Sequence, residues 1–129
     1  MSPFSKPELA YLQSGRRLAR LATVSPDGTP HITPVSDWTV DPDSGVIEIA
    51  GRWNLTATKK FHDAARTGRA AIVIDDVQEP RRPRAVEIRG RAEAVDGPVP
   101  VIRIHPERII SWGLDSDDPG ARHAHDAGR

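Results

Sequence analysis

Apolar and polar positions alternate along most of this chain with the two-residue period of strands, and in two places the period lengthens to that of a helix. Ser5-Lys6-Pro7-Glu8 has capping-box spacing, with Ser5 at the N-cap, Pro7 in the first turn and Glu8 at N3. Leu9 and Leu12 extend it into a short amphipathic helix that stops near Gly15. Arg17 to Val24 then alternates, with Leu18, Ala22 and Val24 on one face that only Arg20 interrupts. Ser25-Pro26-Asp27-Gly28 is a turn with glycine placed for positive φ, and a second strand from about His31 to Val40 completes a hairpin. Asp41 to Gly45 turns the chain again, into a third strand at Val46-Ile47-Glu48-Ile49.

The second helical stretch follows. Asn54 or Thr56 caps it, Leu55, Phe61, Ala64 and Ala65 form its apolar face, and Gly68 stops it after Thr67. Ala70 to Ile74 is a continuous apolar run, as in a buried strand. Glu79-Pro80-Arg81-Arg82-Pro83-Arg84 reads as a loop, because its prolines cannot pair in a central sheet. Val86 to Ala92 alternates as a strand. Val101 to Ile104 and Arg108 to Trp112 read as two final strands broken at His105-Pro106. One helix inserted among six or seven short strands is not a βαβ alternation. It predicts a mainly β, antiparallel barrel with short helices.

At 129 residues the chain has the length of one domain. Residues 1–114 carry the barrel, and the polar stretch 115–129 reads as a disordered tail. The 18 Lys+Arg balance the 18 Asp+Glu, so no global field draws the chain to nucleic acid or membrane, and any anion site must be local. The absence of cysteine excludes disulfides, cysteine–zinc sites, iron–sulfur clusters and thiol nucleophiles, and fits a reducing compartment. No apolar run approaches the roughly 20 residues of a membrane span, and no apolar signal core opens the chain. A soluble, cytoplasmic protein is expected.

Candidate chemistry is sparse. No G-x-G-x-x-G, Walker, G-x-S-x-G or H-E-x-x-H motif occurs, and no acid–base dyad stands out, so catalytic residues stay unassigned. His123-Ala124-His125 lacks a third ligand, and no metal site is expected. Thr58-Lys59-Lys60 lies in the early turns of the second helix, where free N–H groups and partial positive charge favour an anion. Two cations and a hydroxyl there suit a phosphate, with Arg52 upstream as a forked donor; the alternative is a solvated basic face. The strand Pro30-His31-Ile32-Thr33-Pro34-Val35 holds two prolines, which confines it to a sheet edge or turns its backbone towards a ligand. Trp53 and Trp112 suit stacking, an interface or core packing. The basic run Arg81-Arg82-Pro83-Arg84 holds a carboxylate or phosphate, or is solvated. An open barrel of this length leaves apolar strand faces and Trp112 in need of cover, which points to a homodimer.

The run Leu18 to Val24 followed by Pro26-Asp27-Gly28-x-Pro30-His31-x-x-Pro34-Val35 resembles the opening hairpin of the pyridoxamine 5′-phosphate oxidase-like superfamily. Ala57-Thr58-Lys59-Lys60-Phe61, Arg66 to Val77, Arg82-Pro83-Arg84, Val86 to Glu93 and Ile109 to Gly113 extend the likeness to residues 4–114. In combination they are similar to the actinobacterial branch that uses deazaflavin coenzyme F-420. That resemblance implies a homodimeric split β-barrel with two cofactor sites at the dimer interface. It implies that Thr58, Lys59 and Lys60 hold the cofactor phosphate, that His31, Thr33, Pro34 and Val35 line the ring system, and that Arg52 and Trp112 assist. It implies an oxidoreductase that passes hydride to an activated alkene or imine of a small molecule. FMN in the same fold, or a non-enzymatic cofactor- or haem-binding protein, is the alternative. The chain departs from the family pattern at Asp63-Ala64, where an Asn-Leu pair is common, and at Arg81, where an aromatic is usual.

Overall fold

The computed structural model describes residues 1–51, 53–115 and 117–127. The first helix, α1, spans Lys6–Gln13 and is capped as its sequence predicts: the Glu8 amide donates to Ser5 Oγ, and the Ser5 amide donates to the Glu8 carboxylate. Strands β1 (Ala19–Val24) and β2 (Pro30–Val35) form the first hairpin. Strands β3 (Trp38–Val40) and β4 (Ile47–Ala50) form the second. A 3-10 turn at Leu55–Ala57 leads into the second helix, α2 (Lys59–Thr67), which Gly68 ends at φ +67°. Long strands β5 (Arg69–Gln78), β6 (Arg82–Val95) and β7 (Val101–Trp112) follow, and β8 (Arg122–Asp126) comes last.

All pairings are antiparallel and run in the order β2-β1-β5-β6-β7-β4-β3. The two ends of this path, β2 and β3, are separated in sequence only by Ser36 and Asp37. Val35 and Trp38 therefore lie at most about 11 Å apart, because consecutive Cα atoms are 3.8 Å apart. The sheet must curl to bring its edges that close. Trp38 Nε1 donates to the Arg17 carbonyl across the seam at 2.7 Å. The enclosed core includes Leu21, Ile47, Ile49, Ile72, Ile74, Ile88, Ile102, Ile104 and Ile109. Each such side chain stabilises the fold by about 1.5–3 kcal/mol on burial. The helices lie at opposite ends of the strands. Tyr11 of α1 donates to Asp76 near the β5–β6 turn, and the C-terminal end of α2 meets β6 where Ala92 N–H donates to the Gly68 carbonyl.

The mainly β split-barrel architecture matches expectation, and the differences lie in the joints. There are eight strands rather than six or seven. The stretch His31–Val40, expected as one strand, is divided at Ser36-Asp37 into β2 and β3, which lie at opposite ends of the pairing order. The inward residues of β1 are Ala19, Leu21 and Thr23, so Leu18, Ala22 and Val24 face outwards. Arg82–Arg84 is not loop but pairs with Gln78–Asp76; β7 pairing reaches only Ala85, so Pro83 meets no partner strand on that side. The predicted break at His105-Pro106 is a bulge in one continuous strand, with Arg89 opposite Arg108 and Gly90 opposite Pro106. The tail does not fray throughout, since Arg122–Asp126 covers the free half of the β7 edge.

Gly90 is set by that bulge: a Cβ there would stand 1.9 Å from the His105 carbonyl oxygen. Gly90→Ala is expected to cost about 1–3 kcal/mol in urea denaturation. Gly97→Ala, with nothing within 4 Å, should change stability by less than ~0.5 kcal/mol. Equal midpoints for the two variants would contradict the packing described.

Candidate cofactor site

The N-terminus of α2 is built from its cap outwards. Thr58 is the N-cap, where Asn54 or Thr56 was expected; the residues between form the 3-10 turn. The Thr58 hydroxyl donates to the Leu55 carbonyl at 2.6 Å and accepts from the Phe61 amide at 3.4 Å. It is thereby spent on local structure. Lys59 and Lys60 occupy the first two helical positions, where backbone N–H groups have no intrahelical acceptor.

Asp63 anchors this helix to the sheet. Its side chain is only 4% exposed, accepts from the Thr23 hydroxyl of β1 at 3.2 Å, and lies 3.7 Å from Lys59 Nζ and 3.4 Å from Arg66. Arg66 also donates to the Val24 carbonyl. Burial raises the Asp63 carboxyl, but the Thr23 and Arg66 hydrogen bonds and the charges of Lys59 and Arg66 outweigh it, so it titrates below its ordinary value. Lys59 also contributes, after the hydrogen bonds of Thr29, to holding Asp27 of the β1–β2 turn below its usual range. Lys59 is thus balanced by acids, whereas Lys60, half-buried, makes no ion pair among the described residues. The donor set suits a phosphate: one uncompensated ammonium and two free first-turn amides.

The other sequence candidates divide between the faces of the sheet. His31, Thr33 and Val35 pair with Thr23, Leu21 and Ala19, so they share the inner face with the core. Thr23 ties His31 by register to the Asp63 anchor of α2. Pro34 pairs with Arg20 and faces outwards. The two prolines of β2 are accommodated because this strand is terminal in the sheet. Trp112 pairs with Ala85 at the far end of β6, seven residues and roughly 23 Å from the Ala92 contact of α2. Trp112 therefore lies at the opposite end of β6 from the end that meets Gly68. Trp53, at 84% exposure, packs in no core. Arg52 lies outside the described residues.

Two polar clusters escaped sequence reasoning. Asp76 accepts from Arg84 at 2.7 and 3.0 Å, from Arg17 at 3.1 Å and from Tyr11 at 3.0 Å. Both guanidinium groups stack on the Tyr11 ring, 4.2 and 5.1 Å from its centre. Arg84, foremost, holds the Asp76 carboxyl down to about 2, and burial pushes the Tyr11 phenol up. Arg84 is consequently committed within the fold and is not free to hold an anion. Glu8, expected only as a capping residue, is buried against Ser111 and His125. Its partners lie 103 and 117 positions away, beyond the reach of any local spacing rule. Among the described residues no three His, Cys, Asp or Glu side chains gather as a metal site.

A rolled antiparallel sheet with a helix at each end defines this protein as a split β-barrel. Residues 5–123 match the family model of pyridoxamine 5′-phosphate oxidase, and the chain belongs to that family. It is 39% identical over 135 aligned positions to a 5a,11a-dehydrotetracycline/5a,11a-dehydrooxytetracycline reductase of Streptomyces rimosus, covering 96% of this chain and 93% of that one. This likeness makes the chain an oxidoreductase. Its fold is shared by a conserved hypothetical protein of Mycobacterium tuberculosis, at TM-score 0.69 and 23% identity over 84% of each chain. A putative pyridoxamine 5′-phosphate oxidase from Listeria innocua has it too, at TM-score 0.61 and 20% identity over 78% of this chain and 91% of that one.

Because the Asp63 carboxyl is depressed, the stability it contributes is present above its unfolded value, near 3.8, and is lost as pH falls through the folded value. Asp63→Asn should therefore melt below the wild type at pH 7, with the gap closing on acidification. A gap unchanged between pH 7 and pH 3 would show that Asp63 is not the anchor.

Proposed function

We propose that the protein is a cofactor-dependent reductase that holds a phosphorylated flavin-type cofactor at the N-terminus of α2, with deazaflavin coenzyme F-420 preferred to FMN. It reduces an activated carbon–carbon double bond or an imine of a small organic substrate in the cytoplasm. The observation that carries the reading is Lys60, a cation without an ion pair among the described residues, beside two free amides at a helix N-terminus. The name of the Streptomyces relative supports the reaction class, since a dehydro compound offers its reductase a double bond.

When bound, such a cofactor supplies the hydride, which accounts for a sequence in which no acid–base dyad stands out. In this reading the protein's own residues bind and orient. Lys60 and the first-turn amides take the phosphate, with Lys59 held between Asp63 and Asp27 as a secondary charge. His31 and Thr33 border the ring system from the inner face of β2, with Val35 deeper. Thr58 serves mainly to fix the cap.

The same reading makes the working unit a homodimer. Leu18, Val24, Ile32 and Val77 all stand exposed on the outer face of β1, β2 and β5, with Ile32 at 67%. A second copy laid on this face would cover them. It is also the means by which Pro34 and Trp112 would reach a site whose phosphate end lies on α2.

Side-by-side titrations of oxidised coenzyme F-420 and oxidised FMN test the assignment. Wild type should bind coenzyme F-420 more tightly. Lys60→Ala should weaken that binding about ten- to a hundred-fold, the size of a charge-assisted hydrogen bond, with an unchanged melting temperature. Equal affinity in the variant would remove α2 as the phosphate site. For the dimer, Ile32→Glu should sediment as a folded monomer at micromolar concentration and lose cofactor affinity. A dimer that survives this substitution would place the interface elsewhere.

A further inference from the structure

Strand β8 adds no large apolar side chain to the molecule; its sequence is Arg122-His123-Ala124-His125-Asp126. Beyond its ladder with β7, two side-chain contacts hold it among the described residues. Arg108 of β7 pairs with Asp126 at 2.9 Å, and His125 reaches inwards to Glu8 of α1, with Nε2 3.0 Å from Oε1. Glu8 is 1% exposed, and its other contacts are the Ser5 amide at 2.9 Å and the Ser111 hydroxyl at 2.6 Å. Between α1, the end of β7 and β8 lies a cavity of about 510 Å³, lined by Pro7, Glu8, Ser111, Leu114, His123 and His125 among others. The strand that forms one wall of this cavity is thus tied down mainly by polar contacts.

The imidazole of His125 meets an acceptor at each nitrogen. Nε2 faces the Glu8 carboxylate, and Nδ1 lies 3.2 Å from the Asp126 carbonyl. Neither partner can donate, so only the doubly protonated ring satisfies both. We propose that β8 is a pH-sensitive latch over this cavity, closed while His125 is an imidazolium against the Glu8 carboxylate and opened more readily when the ring is neutral. The charged groups facing His125 are Glu8 from α1, Arg108 from β7, already paired with Asp126, and Asp115 and His123, which share the cavity wall. Arg108 opposes the imidazolium, and the Glu8 carboxylate favours it.

The direction of titration agrees with this geometry. Burial alone would lower His125, yet the Glu8 hydrogen bond and charge raise it above its ordinary 6.5. Burial alone would raise Glu8, yet Ser111, Ser5 and His125 hold it below its ordinary 4.5. The latch is therefore firmest between those two ordinary values. It loosens as pH rises through the raised His125 value and as pH falls through the lowered Glu8 value.

Hydrogen exchange of the full chain, followed by NMR from pH 5.5 to 8.5 alongside the His125 imidazole titration, tests this. Protection factors of the β8 amides, corrected for intrinsic exchange, should fall about five-fold across the His125 titration, the difference between a charged and a neutral hydrogen bond. Those of β5 and β6 should hold steady. In His125→Gln the β8 protection should be low and flat with pH. Wild-type β8 protection that stays constant through the titration overturns the proposal, as does an identical decline in His125→Gln. The wild-type measurement decides the matter alone if the variant does not fold.

Discussion

Ser36 and Asp37 are all that joins the two ends of a seven-strand path, and this short span constrains everything else in the molecule. A flat sheet of that width cannot be bridged by two residues. Curling is compulsory, and the Trp38 indole holds the seam by donating to the Arg17 carbonyl. Once the sheet is rolled its ends need stoppers. The α1 helix fills one end through Tyr11 and Glu8, while α2 lies at the other, tied through Asp63 to Thr23. The rolled sheet therefore sets where the N-terminus of α2 points, and that N-terminus carries Lys60, without an ion pair among the described residues.

The outer surface divides along the strands. Across β4, β6 and β7 it is laced with ion pairs: Glu48 with Arg103 and Glu93 with His105 across strands, and Glu87 with Arg89 along β6. Such exposed pairs add little stability, but they keep that half wetted and in register. Across β1, β2 and β5 the outward residues are Leu18, Ala22, Val24, Ile32 and Val73, with the Arg20–Asp75 pair among them. This exposed apolar face beside a charged one is the observation on which the proposed subunit interface rests.

Much of the fold was legible because it follows short-range rules. The α1 capping box, the Gly28 turn, the Gly68 stop, the apolar run of β5 and the alternation of β6 are each written within a few consecutive residues. Leu18, Ala22 and Val24 do share one face of the first hairpin strand, as their spacing reads, but it is the outer one, and alternation alone does not say which face is inward. Leu18 and Val24 stand on the exposed face that the dimer proposal would cover. Pro106 and Pro83 read as strand breakers, but Gly90 makes room for a bulge at the first, and the second lies where β6 has no neighbour on one side. The early-helix location of Thr58-Lys59-Lys60 was readable from the sequence. Which of the three stays free was not, since that depends on Asp63 meeting Thr23 forty positions away. The Glu8–Ser111–His125 contact was likewise out of reach, because it joins the two ends of the chain.

A crystal structure of the protein with oxidised coenzyme F-420 tests the account of α2 most directly. The account predicts phosphate oxygens within hydrogen-bond distance of Lys60 Nζ and of the first-turn amides of α2, with the Asp63–Thr23 contact intact. A phosphate bound instead beside Arg82, at the opposite end of the strands, would contradict it.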